Sequence, residues 1–163
     1  MQRIQLSEFS VYLQQRPGEL AGVLDAAMAS GVQIHSISTT EYQDRGCVRL
    51  LGTPEESLRR MCESLVDAGI GPVVEAPVVA VSVENRPGMI RDLSVLMADN
   101  RINIRYCYLV PAIGELDGID GTMCVFRFDE HDRAVDLIDA ADWPQAELMT
   151  DDTEPESQGE SAA

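Results

Sequence analysis

The chain has 163 residues, 45% of them hydrophobic, and its 28 acidic and 12 basic residues give a formal net charge of −16. This length can form one ordinary domain or two half-size ones. The charge repels phosphate backbones and anionic membrane surfaces, so we expect no nucleic-acid partner and no membrane partner. No apolar run approaches the ~20 residues of a membrane span and no signal peptide is visible at Met1, which predicts a cytoplasmic protein.

The sequence repeats itself. Arg16, Pro17 and Gly18 recur as Arg86-Pro87-Gly88, an offset of 70 residues (86 − 16), and apolar residues recur around them. Internal repetition predicts two copies of one supersecondary unit. We predict a first unit over residues 1–75, a second unit over 76–149, and a disordered acidic tail over 150–163, which is too poor in apolar groups to fold.

Each unit has the predicted element order β-α-β-β-α-β. In the first unit, a strand at Phe9 to Leu13 precedes a helix with one apolar stripe, which is expected to be buried: Leu20, Val23, Leu24, Ala27 and Met28. In the second unit, Asp129 is the expected N-cap of the last helix. The loop 111–120 is about five residues longer than its counterpart in the first unit, which indicates either a functional insertion or a tolerated one.

This order predicts an α+β fold of two ferredoxin-like units, each an antiparallel sheet with both helices on one face. Only Glu75-Ala76-Pro77 separates the last strand of the first unit from the first strand of the second. So short a linker excludes freely moving domains. The units should therefore pack as a pseudo-dimer, and the seam between them is the expected place for a ligand.

The R-P-G turn between strand and helix is the candidate site. Its glycine lets the backbone approach a ligand above the helix N-terminus, where exposed amides suit a carboxylate. Asn85 and Asn103 in the second unit, and Gln15 and Gln33 in the first, add side-chain amides that both donate and accept, as a zwitterion requires. Favourable turn chemistry alone also explains the motif.

These residues resemble those of ACT domains, small regulatory units often tuned to amino acids. The match includes N-R-P-G-x-I at 85–90, I-N-I at 102–104, Q-R-P-G-x-L at 15–20 and V-Q-I at 32–34. Over roughly residues 6–149 the chain is similar to stand-alone tandem ACT proteins. The resemblance implies a non-catalytic regulator that binds an amino acid at the seam, forms a homodimer, and acts on a partner enzyme or transporter.

The ligand-binding residues expected from the motifs and the resemblance are Asn85, Arg86, Gly88, Met89, Ile90 and Asn103 in the second unit, and Gln15, Gly18, Glu19, Leu20 and Gln33 in the first. If the units pair side by side as in that family, Asn85 faces Gln33 and Gln15 faces Asn103. Because glutamine has a longer arm than asparagine, two related but unequal sites are expected.

Three other features bear on function. The four cysteines lack C-x-x-C spacing and are predicted to be buried free thiols, and no catalytic motif occurs, so we expect no metal, no cofactor and no enzyme activity. Tyr106 and Tyr108 share one strand face, where packing is commoner than nucleotide stacking. The alternatives are an acylphosphatase-like enzyme, with Arg16 or Arg86 holding a phosphate, and a structural adaptor that uses its sheet edges.

Overall fold

The computed structural model describes residues 2–42, 45–83, 88–111 and 121–143. Within them the chain forms six strands and four helices. In chain order these are β1 (Arg3–Gln14), α1 (Glu19–Ala29), β2 (Gln33–Tyr42), β3 (Arg45–Thr53), α2 (Glu55–Asp67), β4 (Val73–Val83), α3 (Met89–Asp99), β5 (Ile104–Pro111), β6 (Thr122–Phe128) and α4 (His131–Ala140).

The strands form one antiparallel sheet in the order β2-β3-β1-β4-β6-β5. All four helices pack on the same face of it. Phe9 and Val11 of β1 contact α1 and α2, whereas Val79 and Val81 of β4 contact α3 and α4. These residues share a face because residues of one parity point the same way along paired strands. The predicted fold class is confirmed.

The two units share their central strands instead of each building a four-stranded sheet. Residues 8–11 of β1 pair with residues 73–76 of β4 as the first and last strands of the first unit, whereas residues 3–6 pair with residues 78–81. Ser7 lies opposite Pro77, which is its own counterpart at the offset of 70. A local twofold axis through this pair therefore relates the units, and the start of β1 occupies the last-strand position of the second unit.

The segment expected to link the units, residues 75–77, lies inside the continuous strand β4. The end of the predicted second unit, from residue 144 onward, and the tail lie outside the described residues. So does most of the loop 111–120. The sheet register pairs Val11 with Val48 and Val81 with Cys124, so this loop is six residues longer than its counterpart.

The apolar stripe predicted for α1 is only partly buried. Val23 and Ala27 pack in the core of the first unit, but Leu20, Leu24 and Met28 are 39%, 37% and 76% exposed. Spaced four residues apart, these three form a second row beside the buried one. The prediction of a single buried face was therefore wrong for this row.

The helix-free face of the sheet also carries a buried apolar cluster, composed of Leu51, Val78, Ala80, Val110, Met123 and Val125. The sheet curls toward this face. In a flat sheet, β1 and β5 would lie about 14 Å apart, with two strands between them. Yet the hydroxyl of Tyr108 on β5 donates to the carboxylate of Glu8 on β1 at 2.5 Å. Long side chains from one edge thus reach across the curl to the centre of the sheet.

The prediction that all four cysteines are buried free thiols is confirmed only in part. Cys47, Cys62 and Cys124 are buried free thiols as predicted, but Cys107 is exposed because it lies on the outer strand β5. Among the described residues, no helix has the length and apolarity to cross a membrane, and no cluster of three or more histidine, cysteine or acidic side chains could hold a metal ion.

Candidate functional site

The R-P-G turn of the first unit joins β1 to α1 in a conformation that needs its glycine. Gly18 has a φ of 94° and forms the N-cap of α1, and Gly88 repeats this at the start of α3 with the same φ. A side chain at such positive φ would be strained. The glycine of each R-P-G motif is therefore a left-handed N-cap at the start of a helix.

A cavity of about 380 Å³ opens beside the turn of the first unit. Its volume falls within the range of small-molecule sites. The cavity is lined by the end of β1, the turn, the start of α1, the end of β2 and the start of β3. The lining residues are Leu13, Gln14, Gln15, Arg16, Glu19, Leu20, Thr39, Thr40, Glu41, Gly46, Cys47 and Val48.

The cavity combines groups that recognise both ends of a zwitterion. The Arg16 guanidinium can receive a carboxylate, and the start of α1 adds the positive end of a helix. Glu19 and Glu41 can receive an ammonium group. In this structure the Arg16 Nη2 atom lies 3.0 Å from Glu19 Oε1, so an opposite charge balances the guanidinium at the mouth of the cavity.

Three of the predicted ligand-binding residues line this cavity: Gln15, Glu19 and Leu20. Gly18 caps the adjacent helix. Gln33 lies elsewhere, because it begins β2 opposite Thr53, at the far end of the strand from the residues that line the cavity.

The predicted residues of the second unit have other environments. Met89 is buried and Ile90 packs against the core of the second unit, so both side chains serve the fold. Asn103 is exposed just before β5, and its backbone N–H donates to Asp129 Oδ1 at 3.0 Å. The N-cap of α4 is Glu130 and not Asp129 as predicted, and the Asp129 side chain binds the Asn103 amide instead. Asn85 and Arg86 lie outside the described residues.

The predicted pairing across a seam between the units is not assembled among the described residues. The units join through β1 and β4, which leaves β2 and β5 at opposite edges of the sheet. Every residue lining the cavity belongs to the first unit. Two strands separate β1, which leads to Gln15, from β5, which follows Asn103.

The contribution of β2 and β3 was missed by the sequence analysis. Thr39, Thr40 and Glu41 line the cavity because the end of β1 pairs with the start of β3, which in turn pairs with the end of β2. A signal for this was present, since the first and third strands of a ferredoxin-like unit are neighbours. Strand order therefore brings the turn between the second and third strands close to the R-P-G turn.

Comparisons with known proteins agree on the fold. A family model described as an ACT domain pair matches residues 4–145. The solved structure of protein BT0572 from Bacteroides thetaiotaomicron matches with a TM-score of 0.66 and 18% identity, covering 84% of this chain and 88% of that one. For the ligand-free regulatory subunit of aspartate kinase from Thermus thermophilus, the TM-score is 0.57 and the identity 14%, with coverage of 85% and 96%. No curated protein matches.

Proposed function

The chain belongs to the family of ACT domain pairs, and we propose that it is a non-catalytic regulatory protein that binds an amino acid. The cavity beside the R-P-G turn of the first unit carries the proposal. It presents a guanidinium, two carboxylates and two glutamine amides around the apolar side chains of Leu13, Leu20 and Val48. Such a set fits an α-carboxylate, an α-ammonium and an apolar or short side chain.

The same charges disfavour a phosphate ligand, which is what an acylphosphatase-like activity needs. Arg16 is already paired with Glu19, and Glu41 adds a second carboxylate to the cavity. A phosphate would meet two like charges around one balanced cation. This electrostatic arrangement supports binding of a zwitterion over binding of an anion.

The proposal includes a homodimer formed through the outer edge of the first unit. Leu20, Leu24 and Met28 lie exposed on α1, and Ile37 on β2 is 44% exposed on the same face of the sheet. At the matching positions of α3 the second unit keeps an apolar residue only at Ile90, since Ser94 is more polar than Leu24 and Ala98 is smaller than Met28. In so acidic a chain, an apolar patch beside a free strand edge is the surface that two copies can share.

Leu20 and Thr39 lie at the border between this edge and the cavity. A second copy docked there would cover the ligand, so ligand binding and dimer packing would be linked. The regulated partner, an enzyme or a transporter, would respond to the resulting change in packing. The sequence predicted a ligand site at the seam between the two units of one chain. We propose instead that the site lies at a seam between two chains.

Ligand binding is tested by a thermal-shift screen of the twenty amino acids, since a ligand that binds only the native state adds about 2.7 kcal/mol of stability at about 100 times Kd. Arg16→Gln with Glu41→Gln should weaken binding by roughly 10- to 100-fold, because hydrogen bonds to charged groups contribute about 1.5–3 kcal/mol. Asn103→Ala is the control and should bind normally. If Asn103→Ala abolished binding instead, the site would belong to the second unit; no shift with any amino acid would refute the proposal.

The dimer is tested by sedimentation of the full chain. We expect a dimer that Leu24→Glu with Met28→Glu converts to monomer, because two charges would be buried without partners in the interface. Val95→Glu is the matched control, since Val95 is 43% exposed on α3. A monomeric wild type, or a dimer that only Val95→Glu disrupts, would contradict the proposed interface.

A further inference from the structure

A polar cluster on the helix-free face joins the two units. It consists of Glu8, Arg49, Tyr106 and Tyr108, and we call it the inter-unit cluster. The Glu8 side chain is fully buried and accepts hydrogen bonds from the hydroxyls of Tyr106 and Tyr108, the latter at 2.5 Å. The Arg49 guanidinium lies 4.3 Å from the centre of the Tyr106 ring, and its Nε atom is 3.9 Å from Glu8 Oε1.

The cluster spans most of the sheet. Glu8 and Arg49 belong to β1 and β3 of the first unit, whereas both tyrosines belong to β5 of the second. Ser36 on the opposite outer strand β2 also lies beside the Tyr108 hydroxyl. One set of side chains thus bridges the curl from one outer strand to the other.

The repeat does not duplicate this cluster. At the offset of 70, Val78 takes the place of Glu8, and Ser36 and Ser38 take the places of the tyrosines. The sheet register puts Val125 in the place of Arg49, since Ser10 pairs with Arg49 and Ala80 with Val125. A feature present once in a duplicated fold serves the relation between the copies and not the folding of each copy.

The geometry of the cluster favours specificity over stability. The Arg49 Nε atom is buried and has no hydrogen-bond partner among the described residues, although it faces Glu8 across 3.9 Å. A buried ion pair is weak as a source of stability because desolvation offsets the attraction, but it penalises arrangements that separate its members. The cluster therefore holds the two units in one mutual arrangement.

Arg49 also contacts a residue that lines the cavity of the first unit. Its Nη1 atom donates to Thr40 Oγ1 at 3.0 Å, and Thr40 lines the cavity. One guanidinium thus contacts a cavity residue on one side and the aromatic ring of the second unit on the other. The chain of contacts runs from the cavity through Thr40 and Arg49 to Tyr106 and Glu8.

We propose that Arg49 couples the cavity of the first unit to the packing of the two units. A ligand that displaces the end of β2 would move Thr40 relative to Arg49 Nη1, shift the guanidinium against Tyr106 and Glu8, and so change the packing of β5. Coupling of this kind is reciprocal, so a change in the cluster also changes the cavity. The inference rests on the proposed function for the identity of the ligand site, but the reciprocal effect is testable without a ligand.

The first experiment is hydrogen exchange on the ligand-free chain. Tyr106→Phe removes the bond to Glu8 from the second unit but keeps the ring under Arg49. We expect amide exchange in residues 39–48 of the first unit to become faster by roughly 2- to 30-fold, the effect of mutations that modulate coupling between sites. Arg49→Lys should change exchange both in 39–48 and in β5, because it removes the planar contact with Tyr106.

Tyr12→Phe is the matched control, because in the described part of the chain the Tyr12 hydroxyl has no hydrogen-bond partner although β1 lies next to the cavity. It should leave exchange in 39–48 unchanged. Faster exchange confined to β5 and β6 in Tyr106→Phe would overturn the coupling, as would an equal effect of the control.

The second experiment uses the amino acid with the largest thermal shift in the screen as the probe. Its Kd should differ between wild type and Tyr106→Phe, and an unchanged Kd would overturn the coupling. If no amino acid binds, the proposed function fails, while the exchange experiment still decides whether the cluster and the cavity are coupled. The two failures are therefore distinguishable.

Discussion

The helix-covered and helix-free faces of the sheet are stabilised in different ways. On the helix-covered face the apolar residues are duplicated: Val23 matches Leu93, Ala27 matches Met97, and all four are almost fully buried. On the helix-free face a buried carboxylate and an arginine from one unit meet two tyrosines from the other, and the repeat has no second copy of them. The duplicated positions therefore build the core of each unit, whereas the unduplicated inter-unit cluster holds the two units together.

Leu93→Ala gives the largest expected effect and tests the helix-covered face. Leu93 is fully buried in the core of the second unit, so its truncation should cost about 2–5 kcal/mol of unfolding free energy through lost burial and a cavity. Leu109→Ala is the control, since Leu109 is 60% exposed, and should change stability by less than about 0.5 kcal/mol. Urea unfolding measures both, and similar costs for the two variants would contradict the assigned core.

Glu8→Ala tests the helix-free face and should have a smaller effect. The substitution leaves the hydroxyls of Tyr106 and Tyr108 without their acceptor, at about 1–3 kcal/mol for such an unsatisfied buried group. The quadruple variant Glu8→Leu, Arg49→Met, Tyr106→Phe and Tyr108→Phe should regain most of that stability in urea unfolding, because apolar replacement of a whole buried polar set is often nearly neutral. A quadruple variant less stable than Glu8→Ala would show that the cluster itself stabilises the fold.

The duplicated features were the predictable ones. The N-cap glycines Gly18 and Gly88, the order of the described elements and the helices on one face follow from local patterns that recur in each copy. The sharing of β1 and β4 could not be predicted from local pattern, because residues 73–83 satisfy the alternation of one long strand as well as of two short ones. Pairing of distant strands, and not periodicity, decides between these possibilities.

The cavity and the inter-unit cluster were predictable to different degrees. Gln15, Glu19 and Leu20 were found because the turn motif marks them, whereas Thr40 required the strand order. Glu8 could have been recognised as unusual from the sequence, because it is an acidic residue in an apolar strand at a position where the repeat has Val78. Its partners lie about 100 residues away, as in the Tyr108 contact, and no local pattern specifies contacts of that separation.

The helix-free face should also make the stability of the protein sensitive to alkaline pH. Burial, followed by the hydrogen bond and charge of Glu8, raises the pKa of Tyr106 and, more strongly, that of Tyr108. Because the unfolded chain ionises its tyrosines near pH 10 while the folded chain keeps these two protonated, stability should be lost as the pH rises above about 10. Tyr108→Phe should reduce this loss in urea unfolding; equal slopes for wild type and Tyr108→Phe would contradict the buried environment.

The helix-covered face should respond to acid instead, through His131, and this is the smallest expected effect. Burial between α4 and β1 lowers the pKa of His131, and the charges of Arg3 and Arg127 lower it further, whereas Asp132 opposes the change. Its Nε2 atom lies 3.2 Å from the Gln5 side-chain oxygen, and its buried Nδ1 atom has no hydrogen-bond partner in the part of the chain that the structure describes, so a proton at Nδ1 would be poorly solvated. The unfolded chain therefore takes up the proton first as the pH falls below about 6.5, and the stability that His131 contributes above that pH is lost in the window down to its lowered folded-state pKa.

His131→Gln should flatten the difference in urea midpoint between about pH 7.5 and about pH 5.5, while His35→Gln, which retains His131, should preserve it. If both variants kept the wild-type difference, acid sensitivity would have to arise elsewhere than on this face.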